Sequence, residues 1–594
     1  MQSPQALAPL FQEALALHQQ GHIAQARAAY EQMLALQPGQ SDALHMLGVI
    51  AMQSQRYALA AELIGQSLQS NPLNSAAHLN LGVAFKELGR LDEALSCYQQ
   101  ALELRPDYAE AFNNQGVLLR AQGHVEEAII SFSQAIEIKA DYAQAFLHRG
   151  LVLHASGNLD EALRDFDRAI EIQPNYGPAW SNRGVVLQDQ LRWEEAAQSY
   201  AGAVAAQPDF AQAHYNLGNA LRALGQFEKA IESYDSAIRL QPNFPHAFNN
   251  RGLALQELQR SAEAIESYDA AIALDAQFAD AHWNKAIELL LCGDFAQGWA
   301  LYEWRWRRDT FSSRKRAFAQ PLWLGDASLK GKKVLLHAEQ GLGDSIQFCR
   351  YARDVRALGA EVLLEVPRSL LALFETLPGV DRLLEKGKDL PDFDYHCPLM
   401  SLPLAFQTQL ATIPHHTPYL ASTYLKRELW GQRLGAHAKP RVGLVWSGNI
   451  LDKADQQRSM RLEQLLAILP SGFEYICLQK ELRPPDLDAI RVSPIRYFGE
   501  DIADFSDTAA LCDLMDVVVS VDTSVAHLAG ALGKPTWIML PYTADWRWML
   551  DRSDSPWYPS ARLFRQNQER TWGPVLTHIG SDLSGYLQSW SLQR

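Results

Sequence analysis

The chain has 594 residues, 47% of them hydrophobic and 20% charged, with a formal net charge of −15. That length exceeds what one hydrophobic core supports, so at least two domains are expected, and the acidic balance argues against general affinity for nucleic acid or anionic membrane. The six cysteines, Cys97, Cys292, Cys349, Cys397, Cys477 and Cys512, form no C-x-x-C pair and have no histidine at zinc spacing, which argues against a disulfide framework or a metal site. No apolar run is long enough to span a bilayer. The opening stretch MQSPQALAPLFQEALALHQQ lacks a basic segment followed by an apolar one, so a cytoplasmic location is expected.

Residues 1–312 repeat themselves. Glycine recurs at Gly48, Gly82, Gly116, Gly150, Gly184, Gly218 and Gly252, always 34 residues apart. Alanine keeps the same beat from Ala26 to Ala264, a large residue follows four later (Tyr30, Ile64, Tyr98, Phe132, Phe166, Tyr200, Tyr234, Tyr268), and proline closes many units. Small residues let paired helices approach, the large residue fills the gap and proline stops the second helix. The pattern resembles the tetratricopeptide repeat, with about eight units over residues 7–278 by that period. A degenerate ninth (Gly293, Tyr302) runs into GWALYEWRWRR, expected to cap the solenoid and dock it on the remainder of the chain.

A superhelical solenoid normally works through its concave groove. Asn80, Asn114, Asn182, Asn216, Asn250 and Asn284 share one phase of the repeat, with His148 in the same place once. Carboxamides both donate and accept, so a ladder of them suits the backbone of an extended acceptor peptide. The O-GlcNAc transferases are similar in this respect. The alternative is that asparagine at this position serves only packing between helices.

After Arg316 the beat is lost, and residues 313–330 read as a linker. Apolar runs at 333–339, 361–366, 441–447, 474–479, 517–522 and 536–541 read as strands, alternating with helical stretches near 345–357, 462–469 and 524–532. Alternation of this kind means parallel sheets with helices on both faces, and ligands beyond the carboxyl ends of the strands. The runs fall into two groups, giving Rossmann-like lobes at 331–430 and 431–594. The expected fold class is therefore α + α/β.

Four segments hold candidate chemistry. In HAEQGLGDSIQFCRY a strand ends, Gly341 and Gly343 turn the chain, and a helix opens near Ser345 with Asp344 at its N-terminus. The dinucleotide fingerprint fails because Ile346 takes the third glycine's place. Asp344 either caps its helix or serves as a base, a role the helix dipole weakens. In SVDTSVAHLAGALGKP an apolar strand leads to Asp522, Thr523 and Ser524 at a helix start, with His527 one turn in, an arrangement fit for phosphate. Ser447, Gly448 and Asn449 end another strand before the polar loop NILDKADQQ, and Arg458 comes next, a cation able to grip phosphate oxygens in a fork. In PYTADWRWMLDRSDSPWYP, Trp546 and Arg547 either stack a base and clasp a sugar, or pack the lobes together. His415 and His416 read as surface, and Asp486 and Asp488 lack the preceding strand of a metal site.

These motifs resemble those of the heptosyltransferase-like GT-B glycosyltransferases of family 9. The whole chain is similar to bacterial protein glycosyltransferases that join tetratricopeptide repeats to such a domain, including the flagellin glycosyltransferases. The resemblance implies a metal-independent, inverting glycosyltransferase with a nucleotide-sugar as co-substrate and no other cofactor. Asp344 becomes the acceptor's general base. Thr523, Ser524 and His527 meet the nucleotide diphosphate, Asp522 holds the turn or touches a sugar hydroxyl, and Arg458 stands where that family usually has lysine. A protein bound by the repeats would be the acceptor. The alternatives are a glycan or lipopolysaccharide acceptor with the repeats recruiting partners, or an inactive scaffold. A homodimer paired along the convex faces stays open.

Overall fold

The computed structural model describes residues 7–311, 313, 315–339, 341–449 and 455–592, so most of the polar loop after Asn449 lies outside the described residues. It divides into two compact units, Met1–Pro242 and Asn243–Arg594.

The first unit is all helix, from Leu7–Gln19 to Phe227–Leu240, in antiparallel pairs. The repeated glycines are where the two helices of a pair touch. A Cβ on Gly82 would lie 2.5 Å from Tyr98 Cε1, and one on Gly116 would lie 2.7 Å from Phe132 Cε1. The facing Tyr98, Phe132, Phe166, Tyr200 and Tyr234 are wholly buried. The 34-residue beat thus records one steric lock per unit, glycine against ring.

The second unit opens with further repeat helices, Pro245–Glu257, Ser261–Leu274, Ala279–Leu291 and the short Phe295–Tyr302. The Trp-rich stretch then folds onto the sheets. Trp299 donates from Nε1 to Thr408 O at 3.0 Å and meets Trp546 edge-on at 5.2 Å. Arg305, fully buried, forks onto both carboxylate oxygens of Glu339 at 2.8 and 2.9 Å.

Among the described residues ten strands complete the unit: β1 Lys333–His337, β2 Glu361–Val366, β3 Arg382–Glu385, β4 Tyr395–Pro398, β5 Arg441–Val445, β6 Glu474–Cys477, β7 Ile495–Tyr497, β8 Val517–Val521, β9 Thr536–Leu540 and β10 Ala561–Arg565. They form two parallel sheets, ordered β3-β2-β1-β4 and β10-β9-β8-β5-β6-β7. Val334 sits opposite Val362 in the first and Val442 opposite Val517 in the second. The inner strands β1, β2, β5 and β8 are buried along almost their whole length, which is why they are near-continuous apolar runs. The strand order reverses beside β1 in one sheet and between β5 and β8 in the other. Crevices open at such reversals, beyond the strand ends.

Candidate functional site

Three of the four candidate segments leave the reversal strands β1, β5 and β8. The helix after β1 runs Leu342–Phe348, opening before the expected Ser345, so Gly343 lies in its first turn rather than in the preceding loop. Asp344 does not cap it: Gly341 holds the cap position, and no side-chain capping bond is made to the first amides. Instead Asp344 Oδ1 accepts from Arg547 Nη2 at 2.6 Å. Arg547 also donates from Nη1 to Asp545 Oδ1 and from Nε to Gln347 Oε1, both at 2.8 Å. Burial raises the Asp344 carboxyl above the ordinary range, with Arg547 opposing.

Beyond β8, Thr523 is extended (φ −144°, ψ 171°) and makes no capping bond, so the helix Ser524–Ala531 presents its first amides without a side-chain cap. Asp522 lies beside them with its pKa pushed up to about 6, by burial first and by Asp545 second. His527 is buried, its Nδ1 2.9 Å from the Tyr558 hydroxyl, its Nε2 3.9 Å from Asp522 Oδ1 and its ring stacked on Trp548 at 5.3 Å. Burial, with Arg547, Arg350 and Arg458 nearby, pushes His527 well below the usual histidine range. It is neutral at pH 7 and offers a hydrogen bond rather than a positive charge.

The two helices meet at Gly343. A Cβ there would lie 2.8 Å from His527 Cδ2 and 3.5 Å from Ser524 Cα. Gly343, the residue before Asp344, thereby packs against Ser524 and His527, and Arg547 and Asp545 act electrostatically on both Asp344 and Asp522.

Beyond β5, Gln479 fixes the turn. It accepts the amides of Trp446 and Ser447 at 2.7 and 3.2 Å and donates to Ser447 Oγ at 2.9 Å. Gly448 N donates to Asp455 Oδ1 at 3.0 Å and to Ser459 Oγ at 2.9 Å. Arg483 pairs with Asp455 and donates to Ser459 Oγ at 2.9 Å. Arg458 Nε lies 3.6 Å from Asp455 Oδ1, and its charge holds down the Asp522 pKa. Asn449 is exposed at the end of this turn. Gln347, Gln479, Asp455 and Arg483 are absent from the sequence candidates. They lie apart in sequence, and only their burial as polar side chains, complete for Gln347, Gln479 and Asp455 and partial for Arg483, distinguishes them.

Of the two uses the sequence leaves open for Trp546, the structure displays packing. The ring is 2% exposed, set among Trp299, Tyr302, Phe348 and Trp557, with no free face for a base. Arg547 is likewise committed to Asp344, Asp545 and Gln347 rather than open to a sugar. His415 and His416 are exposed, as expected of surface residues. Asp486 is buried, accepting Trp446 Nε1 at 2.9 Å and Leu462 N at 3.0 Å, which makes it a structural anchor.

The asparagine ladder is half-exposed at every rung. Several rungs also reach back 35 residues to the preceding repeat. Asn80 Nδ2 meets His45 Nε2, His148 Nδ1 meets Asn113 Oδ1, and Asn284 Nδ2 donates to Asn249 Oδ1, each at 2.9 Å. Asn249 in turn donates to Asn250 Oδ1 at 3.1 Å. Asn182 donates to Pro178 O at 2.8 Å, and Asn216 Oδ1 accepts from Gln212 at 2.9 Å. Packing between helices therefore already occupies part of the hydrogen-bonding capacity a bound peptide would use. Asn114 shares the half-exposed position.

Tetratricopeptide-repeat family models match residues 11–75, 45–96, 73–141, 143–176, 200–232 and 245–278, and a TPR-repeat model matches 218–259. The chain thus carries tetratricopeptide repeats across residues 11–278, an all-helical array followed by parallel sheets. It is similar to Protein FlbA of Caulobacter vibrioides, 28% identical over 331 residues, which are 51% of this chain and 55% of FlbA, so the likeness spans about half the relative's length. Among solved structures it is similar to YrrB, described as a TPR protein with an unusual peptide-binding site (27% identity, 32% of this chain and 96% of that one, TM-score 0.28). It is also similar to PilF of Pseudomonas aeruginosa (21% identity, 37% and 96%, TM-score 0.32). Among the described residues no helix is long and apolar enough to cross a membrane.

Proposed function

We propose that the sheet-bearing part is an inverting glycosyltransferase of the GT-B kind, which moves a sugar from a nucleotide-sugar to a Ser or Thr hydroxyl of a protein held by the tetratricopeptide repeats. One observation carries the reading: Asp344, from the end of β1, and the uncapped amides at Ser524, from the end of β8, are brought together by the Gly343–His527 contact. The donor's diphosphate would lie against those amides, where the helix N-terminus, the Arg458 charge and the His527 imidazole stabilise it as it leaves. The acceptor oxygen bonds to the anomeric carbon as the bond from that carbon to the diphosphate oxygen breaks. The hydroxyl proton passes to Asp344, whose raised pKa is the direction a base requires.

A second reading has its own support. Arg547 already neutralises Asp344, which suits an inactive domain kept as an interaction scaffold. Incubation with a panel of sugar nucleotides decides between them, reading donor hydrolysis and mass added to co-expressed proteins. Turnover abolished by Asp344→Ala supports the transferase. Saturable protein binding with no donor bound supports the scaffold. Transfer to a free glycan with none to protein supports the glycan-directed alternative. Alanine at Asn80, Asn114 and Asn182 should weaken acceptor capture and leave donor hydrolysis intact.

A further inference from the structure

A cavity of about 340 Å³ opens beyond the carboxyl ends of β1, β2 and β3, lined by His337, Ala338 and Glu339 at the start of the first candidate segment but by none of its proposed catalytic or donor residues. We infer that it is a subsite for a sugar ring. Its role as a substrate subsite rests on the transferase reading, whereas the binding itself does not.

Glu365, at the end of β2, lines it. One carboxylate oxygen accepts from Arg316, and the other, Oε1, is buried with no partner among the described residues. A buried carboxylate oxygen left unpaired is costly, and a donor arriving from the cavity would relieve it. Lys386, just past β3, is exposed and donates to the carbonyls of Ala338 at 3.2 Å and Glu339 at 3.0 Å. An ammonium has three hydrogens, so one remains for a ligand. Trp306 contributes a half-exposed indole, with Arg305 4.6 Å from its ring centre. His337 is neutral, its pKa lowered to about 3 by burial and by His396.

The charges are mixed and single out neither a simple anion nor a simple cation. An anion would be drawn to Lys386 but would face Glu365. A cation would be drawn to Glu365 but would face Lys386 and Arg316. Glu339 is spent on Arg305. What remains is an acceptor, a donor and an aromatic surface close together. A polyol matches all three, its hydroxyls donating to Glu365 and accepting from Lys386, its C–H face lying on Trp306. The volume stands at the small end of ligand sites, which run from about 300 to 1,000 Å³.

Two sources fit this chemistry, the donor's own sugar and a saccharide on the acceptor. The full-length chain would be titrated by ligand-observed NMR with neutral hexoses, N-acetylhexosamines and acidic sugars, with sugar nucleotides, and with nucleoside diphosphates. Free sugar should bind saturably, and Lys386→Ala and Glu365→Gln should each weaken it at least about tenfold while nucleoside-diphosphate binding holds. If Lys386→Ala also weakens the sugar nucleotide but not the nucleoside diphosphate, the donor's sugar is the occupant. If free sugar alone weakens, it is an acceptor saccharide. Lys386 is exposed, so its variant remains informative should Glu365→Gln fail to fold. No sugar binding across the panel, or binding indifferent to Lys386→Ala, overturns the inference. Donor hydrolysis in the same samples then tells whether the transferase reading falls with it.

Discussion

Arg547 reaches from the loop after β9 to Asp344 in the helix after β1, bonding Oδ1 at 2.6 Å, and holds Asp545 with its other terminal nitrogen at 2.8 Å. One guanidinium therefore neutralises two carboxylates that burial would otherwise set against each other. It also ties the two sheets at the point where the candidate base sits. Asp344 is pulled in opposite directions, up by burial and down by Arg547, and the upward pull is the larger.

Removing that guanidinium has a signed consequence. Arg547→Ala leaves Asp344 and Asp545 without their shared partner, at a cost of about 2 kcal/mol, moderated because both carboxylates keep some solvent. The Asp344 pKa then rises further, so the acid limb of donor turnover moves to higher pH. Arg547→Lys restores the charge but not the fork and should recover only part of both losses. Denaturant unfolding and a pH–rate profile measure the two effects. A stable Ala variant with its acid limb unmoved would mean the pair is incidental.

Gly343 tests the contact between the helices. A methyl group there must displace His527 or part the two helices, because the His527 ring carbon would be 2.8 Å away. Overpacking of this kind costs about 1–3 kcal/mol. Gly343→Ala should lose nucleoside-diphosphate binding by more than about tenfold as well as stability. Gly431→Ala is the matched control, a helical glycine with no neighbour within 4 Å of its missing Cβ. It should be neutral or gain up to about 1 kcal/mol. Calorimetric titration of both variants reads the contrast. Equal behaviour would show that the helices need not touch for the site to work.

The repeats are legible in the sequence because each lock recurs with one spacing. Gly82 and Tyr98 sit at the same offset as Gly116 and Phe132, so periodicity alone exposes the contact. The six apolar runs are legible as strands because they are buried along most of their length and their residues are almost all apolar. β3, β4, β7 and β10 escape a reading of this kind. β7 has three residues, β4 ends in proline, and β3, β7 and β10 are edge or short strands carrying arginine or glutamate, so no apolar run announces them. The helix Tyr424–Leu434 passes for a connection because Tyr424, Leu425 and Leu429 point outward and blur its amphipathic pattern. At the site, Asp344, Asp522 and His527 stand out through their place at strand ends. Arg547 looks like a ligand group in the sequence, yet its partners Gln347 and Asp344 lie about 200 residues away. A pairing over that distance leaves no mark in local spacing.

Asp522 should govern how nucleotide affinity depends on pH. With a pKa near 6 it is a carboxylate at pH 7.5 and largely protonated at pH 5.5. A carboxylate beside the Ser524 amides repels a diphosphate, so protonation favours binding. The diphosphate itself titrates in this range, so the informative quantity is the ratio of wild-type to Asp522→Asn affinity. That ratio should rise toward one as pH falls from 7.5 to 5.5. Burial holds His527 well below the usual histidine range, so the Asp522 slope is not to be mistaken for a histidine titration near neutral pH. A ratio independent of pH would place the phosphate away from Asp522.

Glu288 lies in the repeat helix Ala279–Leu291 with no exposed surface, and neither carboxylate oxygen has a hydrogen-bond partner among the described residues. Burial raises its pKa, and the nearby Ser261 hydroxyl opposes only in part. For an acid, a folded-state pKa above the unfolded one means that the folded state holds the proton more tightly. Stability from this group is therefore greatest below the unfolded pKa, near 4.3, and declines as pH rises toward the folded value. Glu288→Met fills similar volume without the buried charge, so it should stabilise the second unit by about 1–3 kcal/mol at pH 7.5. The same variant should gain much less at pH 4.5, where wild-type Glu288 is already largely neutral in the folded state and partly so in the unfolded one. Urea unfolding at the two pH values measures the difference. A gain that is equal at both, or a loss at pH 7.5, would mean that solvent reaches Glu288 and its charge is not buried.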